Sequence, residues 1–170
     1  MPRYNLGCGD RKLKDWVNVD IREDADITLD LTVFPWPFED KSADRILASH
    51  VLEHMTKHQA FQFIKESYRI LDKYHSLDIA VPDMDKFIQG HQTGDWSHID
   101  GYPWRDLNHL LGGDGSEPDV NMRHKYMYNY ETLAYMLNGT GFKVLKLKGP
   151  GEFDTPKYAA ISLYVRGVKV

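Results

Sequence analysis

The chain has a single cysteine, Cys8, in 170 residues. One thiol cannot close an internal disulfide or build a cysteine-rich zinc site, so disulfide scaffolds and zinc ribbons are excluded. Positive charge is not in excess either. Lys and Arg number 21 against 25 Asp and Glu, a formal net charge of −4, which leaves no electrostatic footprint for nucleic acid. No run approaches the ~18 apolar residues that would span a bilayer. The opening "MPRYNLGCGD" holds neither a basic nor an apolar leader region, so a cytoplasmic protein without membrane association is expected. Repeats, low-complexity tracts and linkers are also missing, and the length suits one domain, 1–170, with its own core. The rest is ordinary globular composition, 42% hydrophobic and 27% charged.

Seven segments have strand character: 3–7, 16–21, 26–31, 43–49, 76–83, 142–149 and 158–167. In the second, Val17, Val19 and Ile21 alternate with Asn18 and Asp20, the period of a strand. Pro35 and Pro37 bar regular structure from 34–40. Thr56 with Gln59 forms a capping-box pattern, and Phe61, Ile64, Tyr68 and Leu71 follow as one apolar stripe of a helix. A second helix spans 129–137, with Asn129 as its cap and Gly139 or Gly141 just past its end. Strands alternating with helices predict an α/β domain with a mainly parallel sheet. Residues 84–128 show no period. They are expected to be a substrate-side loop, with "GGDGSEPD" as a lid.

In an open parallel sheet the ligand lies outside the carboxyl ends of the strands, where strand order reverses. The polar and glycine residues fall there: "GCGD", "DIR", "DLT", "SHVLEH" and "PDMD". Gly7-Cys8-Gly9 permits a sharp turn and close backbone approach to a ligand, although a tight turn alone would look the same. A dinucleotide fingerprint would need glycine at position 12, where Lys12 stands, and an acid ~20 residues beyond the glycines, whereas Asp20 comes earlier. Asp20 could accept both hydroxyls of a ribose, and Asp30 could take an adenine amino group while Leu31 packs on the ring. Each is equally an ordinary strand-end acid.

At these residues the sequence resembles the class I S-adenosylmethionine-dependent methyltransferases, in particular a small bacterial and phage branch of the methyltransferase type 11 kind. The resemblance runs through "YNLGCGDRKLKDWVNVDI", "ADITLDLTVFPWPFEDKSADRILASHVLEHM", "SYRIL", "LDIAVPDMD", "RDLNHLLGG", "RHKYMYNYETLAYMLNGTGFKV" and "ISLYVRG", nearly the whole chain in order. It implies a Rossmann-like fold with a seven-stranded sheet, and S-adenosylmethionine as cofactor. Carried over, Gly7, Cys8 and Gly9 line its methionine and ribose side. Asp20 and Ile21 hold the ribose, Asp30 and Leu31 the adenine, and Ser49 and His50 flank the methionine. Three departures stand out. Residues 10–16 are too few for the usual crossover helix, so the first helix is reduced. "DKYHS" replaces a glycine-rich turn, and the third glycine of the family's motif is absent.

His50, Glu53 and His54 also spell H-x-x-E-H, a zinc-peptidase spacing. That motif needs one helix to bring both imidazoles to one face, whereas here it follows a strand and precedes a new helix cap. For methyl transfer to a hydroxyl, histidine is a suitable base. His124 matches the family's histidine ahead of the substrate-side helix and is the first choice, His54 the second. Asp83, Trp96, Trp104 and His109 are candidate substrate contacts, as is Tyr102. The tryptophans could equally be core beneath a loop. The expected acceptor is a small molecule or saccharide, with no nucleic-acid partner and room for a homodimer. A cofactor-binding relative without turnover, and the zinc hydrolase, stay as alternatives.

Overall fold

The computed structural model describes residues 1–99, 107, 110, 123–149 and 156–170. Its strands are β1 (Arg3–Leu6), β2 (Val17–Asp20), β3 (Ile27–Thr28), β4 (Ala43–Ser49), β5 (Leu71–Pro82), β6 (Phe142–Lys146) and β7 (Ser162–Lys169). They form one seven-stranded sheet in the order β3-β2-β1-β4-β5-β7-β6. All neighbours are parallel except β7, which runs antiparallel to both β5 and β6. The strand order reverses between β1 and β4, which places the crevice beyond Leu6 and Ser49. β4 is central, and Ile46, Leu47 and Ala48 are all buried, as expected when helices cover both faces.

The first crossover is indeed reduced. Residues 7–16 contain no helix, and two asparagine side chains do the work a helix backbone would do. Asn5 Nδ2 donates to Asn18 Oδ1 (2.9 Å) and to the Arg11 carbonyl (2.8 Å). Asn18 Oδ1 accepts from the Leu13 amide, and its Nδ2 donates to Asp26. The polar groups of a connection too short to satisfy itself are thereby paired.

Helix α1 (Lys57–Ile70) starts at the expected capping box: Thr56 accepts from the Gln59 amide, and Gln59 returns to the Thr56 amide. Its buried face is Ala60, Phe63, Ile64, Ser67 and Ile70. The stripe read from sequence was rotated. Phe61 and Tyr68 lie only partly buried at its margin, and Leu71 already belongs to β5. "DKYHS" is no loop either: β5 begins directly at Leu71, with a register shift between the residues facing Ala43 and Arg45. Helix α2 (Met84–Thr93), capped by Asp83, occupies the start of the segment expected to be loop. Helix α3 (Tyr130–Thr140) is capped by Asn129, whose Oδ1 accepts from the Thr132 amide. A short helix α4 (Pro156–Ala159) precedes β7.

The main core joins the sheet to α1 and α3, with Trp36 stacked edge-on against Phe63. A smaller cluster of Phe87, Ile99, Leu110 and Ile161 lies under α2. Among the described residues no helix is long and apolar enough to cross a membrane.

Candidate active site

The turn after β1 is built for close approach. Gly7 has φ +69° and Gly9 φ +51°, and a Cβ on Gly7 would lie 2.4 Å from Cγ2 of Val51. The loop after β1 therefore packs directly on the segment after β4. The Gly7 and Cys8 amides donate to the Val19 carbonyl (2.8 and 3.2 Å), and the Gly9 amide donates to Asp20 Oδ2 (2.8 Å). Cys8 is buried, which raises its thiol above the ordinary value.

Asp20 ends β2 and also accepts from the Arg22 amide. Ile21, the next residue, is 66% exposed, an apolar surface at the strand end. Asp30 accepts from the amide and hydroxyl of Thr32. Leu31 is buried in the core beside Trp36, so its side chain contributes to packing. Asp20 and Ile21 thus lie at the end of β2 and Asp30 just past β3, which stops at Thr28, while Leu31 is in the core rather than facing outward.

Ser49 closes β4, and His50 follows in a left-handed conformation (φ 56°). The amide of His50 donates to the Ala80 carbonyl. Ser162 Oγ donates to the Tyr158 carbonyl at 2.8 Å, so the 3.0 Å contact between Ser162 Oγ and His50 Nε2 is made by an imidazole N–H. Nδ1 of His50 meets Glu53 Oε1 at 3.1 Å, and the Tyr158 ring lies 4.7 Å away. His50 is therefore clamped. Glu53 is 1% exposed. Burial alone would raise its carboxyl, but the His50 hydrogen bond and the neighbouring histidines outweigh burial and hold it below its usual range.

Leu52–His54 form a 3-10 turn anchored by buried Leu52. The Glu53 carbonyl accepts from the Lys125 amide (2.7 Å), and the Leu52 carbonyl from the Tyr128 hydroxyl (3.3 Å). These bonds lay the strip 123–128 along the turn and bring His124 to His54, ring centroids 5.1 Å apart. The two base candidates, seventy positions apart in sequence, are neighbours. Burial lowers the His54 imidazole below its usual value despite the attraction of Glu53, which keeps the ring neutral near pH 7. Burial likewise drives the Tyr128 phenol upward.

Asp83 is buried, caps α2 by accepting from the Asp85 amide (3.2 Å), and pairs in a bridge with Tyr128. Its carboxyl is raised chiefly by burial. Trp96 packs on Gly90, whose missing Cβ would lie 2.3 Å from the indole, and beside Phe87. Its place is the smaller core. Trp104, His109, Tyr102 and the "GGDGSEPD" stretch lie outside the described residues. Glu53 entered the sequence reading only as the acid of the H-x-x-E-H spacing, and Ser162 had no role in it. Position 53, three after His50, was the one signal available for the carboxylate. Nothing local in "AAISLYV" marked Ser162. A groove of about 330 Å³ lined by Arg3, Arg45, His75 and Arg166 lies at the opposite, amino-terminal end of β4 and β5. Its arginines 45 and 166 are engaged by Asp78, so it is apart from this chemistry.

Residues 6–74 match the family described as "Methyltransferase domain". A comparison with curated proteins returns no match. Among solved structures, the chain is similar to a SAM-dependent methyltransferase from Archaeoglobus fulgidus, with 16% identity, TM-score 0.61, and 99% of this chain and 86% of that one covered. A SAM-dependent methyltransferase from Methanosarcina mazei aligns at 13% identity and TM-score 0.67, covering 99% and 92%. One from Thermotoga maritima, described as a possible histamine N-methyltransferase, aligns at 19% and 0.62, covering 99% and 82%. At these identities the structures speak for the fold, and the family match for the methyltransferase segment. The family match thus covers the segment from β1 into β5, and the fold of the whole chain is the one these S-adenosylmethionine-dependent methyltransferases share.

Proposed function

We propose that this enzyme methylates a hydroxyl oxygen of a small molecule or saccharide. The observation that carries the reading is the pairing of His54 with His124 beside buried Glu53, on the segment that packs against the Gly7 turn. That puts neutral imidazole next to the crevice where the cofactor would lie.

Bound S-adenosylmethionine supplies an already activated sulfonium methyl, so the protein has to align the acceptor and exclude water. Gly7, Cys8 and Gly9 let the backbone approach the methionine and ribose. Asp20 would accept from the ribose hydroxyls with the lone pairs its Gly9 and Arg22 bonds leave over. Ile21 would lie beside Asp20 on the ribose, Asp30 would receive the adenine amino group, and Ser49 with clamped His50 would border the methionine. These residues would hold the acceptor oxygen in line with the sulfonium methyl, so that the oxygen–carbon bond could form as the carbon–sulfur bond breaks with its electron pair left on sulfur. The hydroxyl proton passes to the imidazole pair. The net negative charge of the chain fits a substrate other than nucleic acid.

The test is a calorimetric titration of S-adenosylmethionine, followed by labelled-methyl transfer to a panel of sugars and small hydroxyl compounds. One-to-one binding is expected, at least tenfold weaker in Asp20→Ala. His124→Ala should retain cofactor affinity and lose turnover by ~10²-fold or more. Unaltered affinity in Asp20→Ala would remove the ribose assignment. Full turnover in His124→Ala would remove that histidine from the chemistry.

A further inference from the structure

Three side chains in the site carry a pattern that methyl transfer by itself does not require. Donor atoms of Glu53, His54 and His124 all lie within 4.8 Å of one another. Among the described residues two of the buried polar atoms there have no hydrogen-bond partner: Glu53 Oε2 and His54 Nδ1. An unsatisfied carboxylate oxygen in a side chain that is 1% exposed is costly, and such groups call for an explanation.

The partners of the remaining atoms sharpen this. Glu53 Oε1 is held by His50. His124 Nδ1 donates to the Leu110 carbonyl at 2.9 Å, which leaves the lone pair of that ring on Nε2. His54 Nδ1 is buried without a partner. Glu53 and His124 thus each have one atom tied by an orienting partner, and Glu53 and His54 each keep a buried atom unsatisfied within the group. This is how metal ligands are held: the second ring nitrogen donates to a carbonyl and so fixes tautomer and orientation.

From this geometry we infer that Glu53, His54 and His124 form a binding site for one divalent first-row transition-metal ion. Two imidazoles and a carboxylate are the donor set of open catalytic zinc sites, whereas magnesium and calcium prefer all-oxygen shells. Bonds of ~2.0–2.2 Å need donors ~3.4 Å apart, so binding would draw these side chains together from within the 4.8 Å that now separates their donor atoms. The site is not the H-x-x-E-H peptidase set. His50, the first residue of that motif, spends its two nitrogens on Glu53 and Ser162, and the third ligand comes from residue 124. Three protein ligands leave coordination positions open. If the hydroxyl-methylation reading above holds, on which this last step rests, an acceptor oxygen fills one of them. The ion would then supply the acidity, with the hydroxyl proton leaving to solvent, and the imidazoles would serve as ligands in place of taking the proton themselves.

The test uses the full chain, stripped with chelator and titrated with Co²⁺ and Zn²⁺, reading ligand-field absorption and calorimetric heat. Saturable binding of one ion per chain is expected, weakened at least 100-fold in His124→Ala, a partly buried position outside the core where folding should survive, and in Glu53→Gln. His58→Ala, exposed on α1, should bind as the unaltered chain does. Weak binding that is equal in His124→Ala and the parent would overturn the site. S-adenosylmethionine is titrated in parallel. Metal binding without cofactor binding would overturn the functional reading and keep the site, and cofactor binding without metal binding would do the reverse.

Discussion

At the scale of single residues, Gly7 sets the geometry of the crevice. Its φ of +69° is unfavourable for any side chain, and Val51 lies where a Cβ would go. Because Val51 is β-branched and leads directly into the Leu52–His54 turn, relief would have to move that turn. Gly7→Ala should cost about 1–3 kcal/mol in stability, read as a lower urea midpoint. It should also weaken S-adenosylmethionine binding in the same preparation. A variant of unchanged stability would mean the two loops are not in firm contact. The sequence announced this glycine through G-x-G, and it announced Asp20 through its place at a strand end. It could not announce the companion of His54. The His54–His124 contact depends on bonds from the Lys125 amide and the Tyr128 hydroxyl to the 3-10 turn, and nothing local to "RHKY" encodes them.

At the scale of elements, what was legible is what local chemistry decides alone. The capping box of α1, the Asn129 cap of α3 and the bounds of β4 all have short-range causes. The rotated face of α1 shows the limit. Phe61 and Tyr68 are as apolar in sequence as Phe63, and only docking on the sheet decides between two overlapping stripes. Helix α2 was hidden for a similar reason, because it buries little beyond Phe87 and Gly90 and so shows no clear period. The loop with Pro35 and Pro37 is held in place by an ion-pair network on α1. Arg69 donates to the Trp36 and Phe38 carbonyls, to Asp40 and to Glu66, while Glu66 accepts from the Trp36 amide. The Arg69 hydrogen bond holds the Glu66 carboxyl below its ordinary value, with the Trp36 amide assisting against burial. A depressed carboxyl stabilises the fold above its unfolded-state value and loses that contribution as pH falls through the folded-state value. Glu66→Gln should therefore cost about 1–3 kcal/mol at pH 7. The deficit should shrink in denaturation series run below pH 4.5, the ordinary glutamate value. A deficit independent of pH would show that Glu66 acts by packing.

At the scale of the whole molecule, the sheet is held together by strands whose order brings three loops to one crevice, and the reduced first crossover leaves the β2–β3 edge thin. β3 has two residues, and Asp20, Ile21 and Asp30 all sit on that edge. The Asn5–Asn18 amides satisfy the connection but bury little apolar surface, so the edge is the part of the fold with the most to gain from a ligand. Cofactor bound across Gly7, Asp20 and Asp30 would join this edge to β1 and β4. A ligand that binds only the folded state stabilises it by RT ln(1 + [L]/Kd), about 2.7 kcal/mol at a hundred times Kd. For a chain of this size each kcal/mol shifts Tm by roughly 2–4 °C. Saturating S-adenosylmethionine should then raise Tm by about 5–10 °C, with amides of residues 18–31 gaining hydrogen-exchange protection beyond the global change. Asp20→Ala should show neither effect at the same cofactor concentration. A Tm rise with protection confined to β4 and β5 would place the ligand elsewhere on the sheet and leave the thin edge without a cofactor role.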